Sequence, residues 1–115
     1  MDNTENKEIE IGEKYLPIGT VVLLQGATKR LMITGLASMS PETGDKIFDY
    51  SGCTFPEGFY NYNEVCVFDH DQIEAVFFKG YVDDEQKAFM AEFSEKAKQI
   101  TSVSDLRFED NTTQE

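Results

Sequence analysis

Apolar and polar residues alternate in short, β-branched runs over the first two thirds of the chain and fall into a helical rhythm only near the end. Thr20 to Leu24 and Leu31 to Thr34 are two such runs, separated by Gln25 to Arg30, where Gly26 is free to take a positive φ. Pro17 and Gly19 ahead of them suit a turn and stop a helix from running through. The pair reads as a β-hairpin ending at Gly35. With Thr20, Val22 and Leu24 on one face and Val21 and Leu23 on the other, both faces must be covered, so further strands are required.

Those strands follow. Leu36 to Lys46 carries Ser38, Ser40, Pro41, Thr43, Gly44 and Asp45 and reads as a loop. Ile47 to Phe55 alternates as a third strand up to the turn Pro56-Glu57-Gly58, and Val65 to Phe68 makes a short fourth. One helical turn at His70 to Ile73 then leads into a fifth strand, Ala75 to Lys79, ended by Gly80. In the charged N-terminal segment only Ile9 and Ile11 alternate, near its end, so at most a short edge strand forms there and fraying is expected.

The rhythm changes at Asp83. Asp83-Asp84-Glu85-Gln86 has the form of a capping box, and Phe89, Phe93, Ala97 and Ile100 recur at helical spacing with Met90 widening the stripe. The pattern predicts an amphipathic helix over Asp84 to Ile100 whose apolar face needs a partner surface, either this protein's own sheet or another chain. The expected organisation is a flexible acidic arm over 1–14, a small β domain over 15–82, a C-terminal helix over 83–100 and a flexible tail over 101–115. The fold class is α+β, mainly β: a small five-stranded antiparallel, SH3-like barrel or bent sheet, with the helix packed on it or projecting from it.

Composition narrows the functional classes. The 115 residues, 40% of them hydrophobic, suit one domain with a small core. Acids outnumber bases 22 to 10, a formal net charge of −12 that repels phosphate backbones and anionic lipid, so nucleic acid and direct membrane insertion are not expected. A basic protein is the electrostatically favoured partner, although acidity also serves solubility alone. The acidic start MDNTENKEIEIGEK lacks the basic and apolar regions of a signal peptide, which leads us to expect a cytoplasmic protein.

Candidate chemistry is sparse. Cys53 and Cys66 match neither a redox pair nor a zinc knuckle, and both read as buried free thiols. His70 between Asp69 and Asp71 has the groups of a metal site or a tuned base but sits in a sequence that also makes a polar turn. A Cys53 nucleophile would need His70 as its base. Asp83, Asp84 and Glu85 lack the spacing of a calcium loop and suit a helix N-terminus. No catalytic, cofactor-binding or metal-binding residues are assigned, and no enzyme activity or cofactor is expected. Phe55, Phe59, Tyr60 and Tyr62 crowd a Pro- and Gly-marked loop as either interface anchors or core. The residues expected to meet a partner are Phe89, Met90, Phe93, Ala97 and Ile100 on the helix, with Phe59, Tyr60 and Tyr62 on the loop.

The segments YLPIGTVVLLQGATKRLMITG, FDYSGCTFPEG and FDHDQIEAVFFKGYVDDE together resemble a family of small uncharacterised bacterial proteins, domain-of-unknown-function family 4176. The likeness covers Tyr15 to Glu85; its most particular pieces are LPIGTVV with KRLMITG, Tyr50 to Cys53 with Pro56-Glu57-Gly58, and His70 to Tyr81. Members are usually encoded beside LXG-type toxins of the type VII secretion system. The resemblance implies genomic company with a secreted toxin, and beside it the amphipathic helix Asp84 to Ile100 motivates a non-catalytic adaptor or chaperone for the toxin's targeting domain or its small helical companions. An immunity protein that covers a toxin domain with its acidic surface is the alternative. Export together with the partner fits the first of these.

Overall fold

A computed structural model describes residues 9–40 and 44–99. Five strands, β1 (Val21–Leu24), β2 (Leu31–Ser38), β3 (Phe48–Thr54), β4 (Cys66–Phe68) and β5 (Ile73–Phe78), form one antiparallel sheet in the order β4-β3-β2-β1-β5, followed by helix α1 (Asp84–Ala97). The first four strands are a meander, and β5 returns to pair with β1. β4 and β5 are therefore opposite edges, yet only a short link containing the 3-10 turn His70–Gln72 joins them. In a flat sheet these edges would lie about 19 Å apart. A link coiled into a 3-10 turn, at roughly 2 Å per residue, falls short of that. The sheet therefore curls strongly, and among the described residues it is not closed by any pairing of β4 with β5.

Curling encloses a core of Leu16, Val22, Leu31, Ile33, Tyr50, Phe68, Ile73 and Val76. Each such apolar side chain contributes about 1.5–3 kcal/mol by leaving water. Val21 is buried as well as Val22, so both faces of β1 are covered as its sequence requires. Ile9 and Ile11 form no strand; they pack against the core from outside the sheet.

Three boundaries differ from the pattern by two residues or more. β2 continues beyond Gly35 to Ser38, because the chain absorbs a register shift between Ile33 and Gly35 and then keeps pairing with β3 as far as Ser38 opposite Phe48. Gly35 marks a bulge there, and a Cβ at this position would collide with Ser51 Oγ. Ile73 opens β5, opposite Leu24, where the pattern put it in the preceding turn. The helix ends at Ala97, and Ile100 lies outside the described residues, as do 1–8, 41–43 and the rest of the tail.

One buried hydroxyl ties the segment preceding β1 to the stretch just after β5. Thr20 Oγ1 donates to the Pro17 carbonyl (2.7 Å) and accepts from Gly80 N–H (3.0 Å). Gly80 is needed because a Cβ there would run into the Ile18 carbonyl. α1 starts directly beyond this junction, which fixes where the helix leaves the sheet.

Candidate functional site

Asp83 is extended and its Oδ1 accepts from Gln86 N–H (2.9 Å), the N-cap that the sequence announces, with Asp84 and Glu85 placed favourably in the first turn. Along α1, Gln86, Met90, Phe93, Ser94 and Ala97 are half-buried and define the inward stripe, but none is fully buried. Phe93 meets the Tyr15 ring edge-on at 4.9 Å, and Phe89, 53% exposed, stacks on Phe93 at 5.6 Å. The helix thus leans on the strap 9–17 through one aromatic contact, with open clefts along the seam. One, of about 480 Å³, lies between Leu16, Pro17, Val82 and Met90. Another, of about 160 Å³, lies among Ala37, Ile47, Phe48, Phe93 and Ala97.

The strap itself is held by Tyr50. Its side chain is fully buried in β3 and its Oη accepts from both Tyr15 N–H and Leu16 N–H at 3.0 Å. Two successive amides converge on one oxygen because Tyr15 has a φ of 74°, a conformation rare for a residue with a side chain. With its acceptor capacity used, the hydroxyl donates its own proton to His70 Nδ1 (2.7 Å). That assigns the remaining imidazole proton to Nε2, which donates to the Gly12 carbonyl (2.9 Å). Burial pushes the Tyr50 phenol up to about 12, against the lowering effect of the two backbone donors. Burial also raises the Tyr15 phenol, helped by Asp49 and Asp69.

His70, singled out in the sequence for its flanking carboxylates, is therefore a structural clamp with both ring nitrogens engaged, neither of them by Cys53. Of those flanking carboxylates Asp69 binds backbone, as does Asp49 on β3. Asp49 Oδ2 accepts from His70 N–H (2.8 Å), and Asp69 Oδ1 accepts from Asp49 N–H (3.0 Å). Lys14 lies 3.5 Å from Asp49 and Lys46 3.1 Å from Asp69. Among the described residues no three His, Cys, Asp or Glu side chains gather as a metal site.

The aromatic loop is exposed: Phe59 and Tyr60 at 64% and Tyr62 at 79%. It is nonetheless firmly built. Gly58 N–H donates to the Thr54 carbonyl (2.8 Å), and Asn61 Oδ1 caps a 3-10 turn at Tyr62–Glu64 by accepting from Asn63 N–H (2.9 Å). Phe55 lies under the Arg30 guanidinium at 5.1 Å. The helix and the loop are not brought together. Phe93 adjoins the start of β3 at Phe48, whereas the loop follows its end at Thr54, about 20 Å along the strand.

Of the two thiols, Cys53 is buried as expected and Cys66 is not. Cys66 opens the three-residue edge strand β4, which has a neighbour on one side only. Partial desolvation, then Glu64, raises its thiol. Tyr15 and Tyr50 are the residues that pattern reading missed. For Tyr50 the available signal was a phenol alternating with Phe48 on one face of β3, where a buried hydroxyl must find partners.

A family model described as a domain of unknown function, DUF4176, matches residues 15–89. No curated protein and no solved structure matches the chain. Among the described residues no helix is long and apolar enough to cross a membrane.

Proposed function

We propose that this chain, which belongs to the DUF4176 family, is a non-catalytic adaptor or chaperone that binds the helical targeting part of an LXG-type toxin, or its small helical companions, for type VII secretion. The observation that carries this reading is the seating of α1. Its apolar stripe is only half-buried, Phe89 is exposed, and its contact with the body runs through Tyr15 and Phe93 beside open clefts. An amphipathic helix held this way is suited to pack with a partner helix through i, i+3, i+4 and i+7 positions.

A second reading, an immunity protein that neutralises a toxin domain, is favoured by the other surface. Phe59, Tyr60 and Tyr62 stand exposed on a hydrogen-bonded loop of an acidic protein, and exposed aromatic side chains with only two χ angles bind at low entropic cost. Co-purification of the full chain with separate N-terminal and C-terminal fragments of an LXG toxin separates the two. The adaptor reading expects capture of the N-terminal fragment and its loss in Phe89→Asp; the immunity reading expects capture of the C-terminal one. Retention of neither fragment refutes both.

A further inference from the structure

The formal charge of −12 favours basic partners for the protein as a whole, but charge is unevenly spread. Of the eight Lys and Arg residues among those described, six line the clefts along the seam between α1 and the body: Lys14, Lys46, Lys79, Lys87, Lys96 and Lys98. Only four acids line the same clefts, Glu13, Asp49, Asp69 and Asp71, whereas ten of the fourteen described acids lie elsewhere. Lys14, Lys46 and Lys98 pair with Asp49, Asp69 and Glu95. Lys79, Lys87 and Lys96 are exposed and make no ion pair among the described residues.

The imbalance is concentrated in the cleft of about 480 Å³ on one flank of the helix. Its apolar lining includes Leu16, Pro17, Val82 and Met90, its cations are Lys14, Lys79 and Lys87, and Glu13 is the one acid against it. An apolar strip edged by ammonium groups, of which Lys79 and Lys87 make no ion pair among the described residues, is complementary to a helix with an apolar stripe flanked by carboxylates. We propose that this cleft is the docking groove for an acidic amphipathic helix of the partner, which lies along α1 and against the strap at the same time.

This inference rests on the helix-binding reading above and adds the sign of the partner's charge. It runs against the protein's overall charge, which makes it a sharp test. The probes are two labelled 18-residue amphipathic peptides with the same Leu and Ala stripe, one with Glu and the other with Lys on the polar face, titrated by fluorescence anisotropy. The wild-type protein is expected to bind the Glu peptide at least tenfold more tightly, with an advantage that shrinks as salt is added. In the Lys79→Glu, Lys87→Glu double variant the preference should vanish or reverse. Both side chains are exposed and unpaired, so the variant should keep its melting temperature, which is measured alongside.

A wild-type preference for the Lys peptide, or equal binding of the two, overturns the acidic-partner inference while leaving a helix-binding surface in place. A Glu preference that the double variant retains overturns the groove assignment. Absence of binding by either peptide removes the inference and the helix-surface reading together.

Discussion

Replacing Tyr50 with Phe deletes one oxygen from the core and keeps the ring, including its packing on Phe68 at 5.4 Å. That oxygen accepts the Leu16 and Tyr15 amides. Leu16 is buried at 3% exposure, so its N–H loses its acceptor where water does not readily replace it. An orphaned buried donor costs about 1–3 kcal/mol, and the half-exposed Tyr15 amide adds about 0.5–1.5 kcal/mol. The expected destabilisation is about 2–4 kcal/mol, a large part of the roughly 5–15 kcal/mol total of such a domain. At about 4–8 °C per kcal/mol the melting temperature should fall by roughly 8–30 °C. Thermal and urea unfolding by circular dichroism measure the loss, and hydrogen exchange at Tyr15 and Leu16 localises it. A shift of less than about 2 °C, with both amides still protected, would refute the assignment of Tyr50 as the anchor of the strap.

Alkaline pH tests the same group. Below the ordinary phenol value of 10.0 both states keep the proton; above it the unfolded chain ionises first while Tyr50 stays neutral until about pH 12. Stability should therefore be fully present below pH 10.0 and fall as pH rises through this window. The raised Tyr15 phenol acts in the same direction, and Tyr50→Phe should flatten the profile; a flat wild-type profile would contradict it. Gly80→Ala should cost about 1–3 kcal/mol by driving its Cβ into the Ile18 carbonyl, read from the urea midpoint, and an unchanged midpoint would mean the two segments do not approach as described.

The sheet was largely legible because its strands are short, β-branched and punctuated by Gly and Pro, as in Thr20 to Leu24 before Gly26. The reach of β2 past Gly35 was not, because a bulge is set by pairing with β3, and Ser38 gives no local sign that Phe48 lies opposite. Cys66 misled for a related reason: residue type favours burial, but the strand order makes β4 an edge. At the candidate site the helix and its Asp83 cap were plain from spacing. The Tyr50 anchor was hidden because it depends on contacts 34 and 35 residues away in sequence, and periodicity carries no record of such contacts. The lysine-edged groove was hidden likewise, since Lys14 and Lys87 meet there only after folding.

The return of β5 to β1 has a consequence for the order of events during synthesis. Val22 pairs with Leu31 across a short turn but also with Val76, so β1 waits for more than fifty further residues to emerge before its second neighbour exists. Loop-closure entropy has to be overcome before that long-range pairing yields any stabilisation, so the meander of β1 to β4 can form while the last strand is still being made. Until then the outer edge of β1 is an open template for strands of other chains. α1 follows β5 directly, so the helix that seats beside Tyr15 is synthesised only after the strand that seals this edge. A partner that requires both helix and strap would thus engage finished molecules and pass over nascent ones.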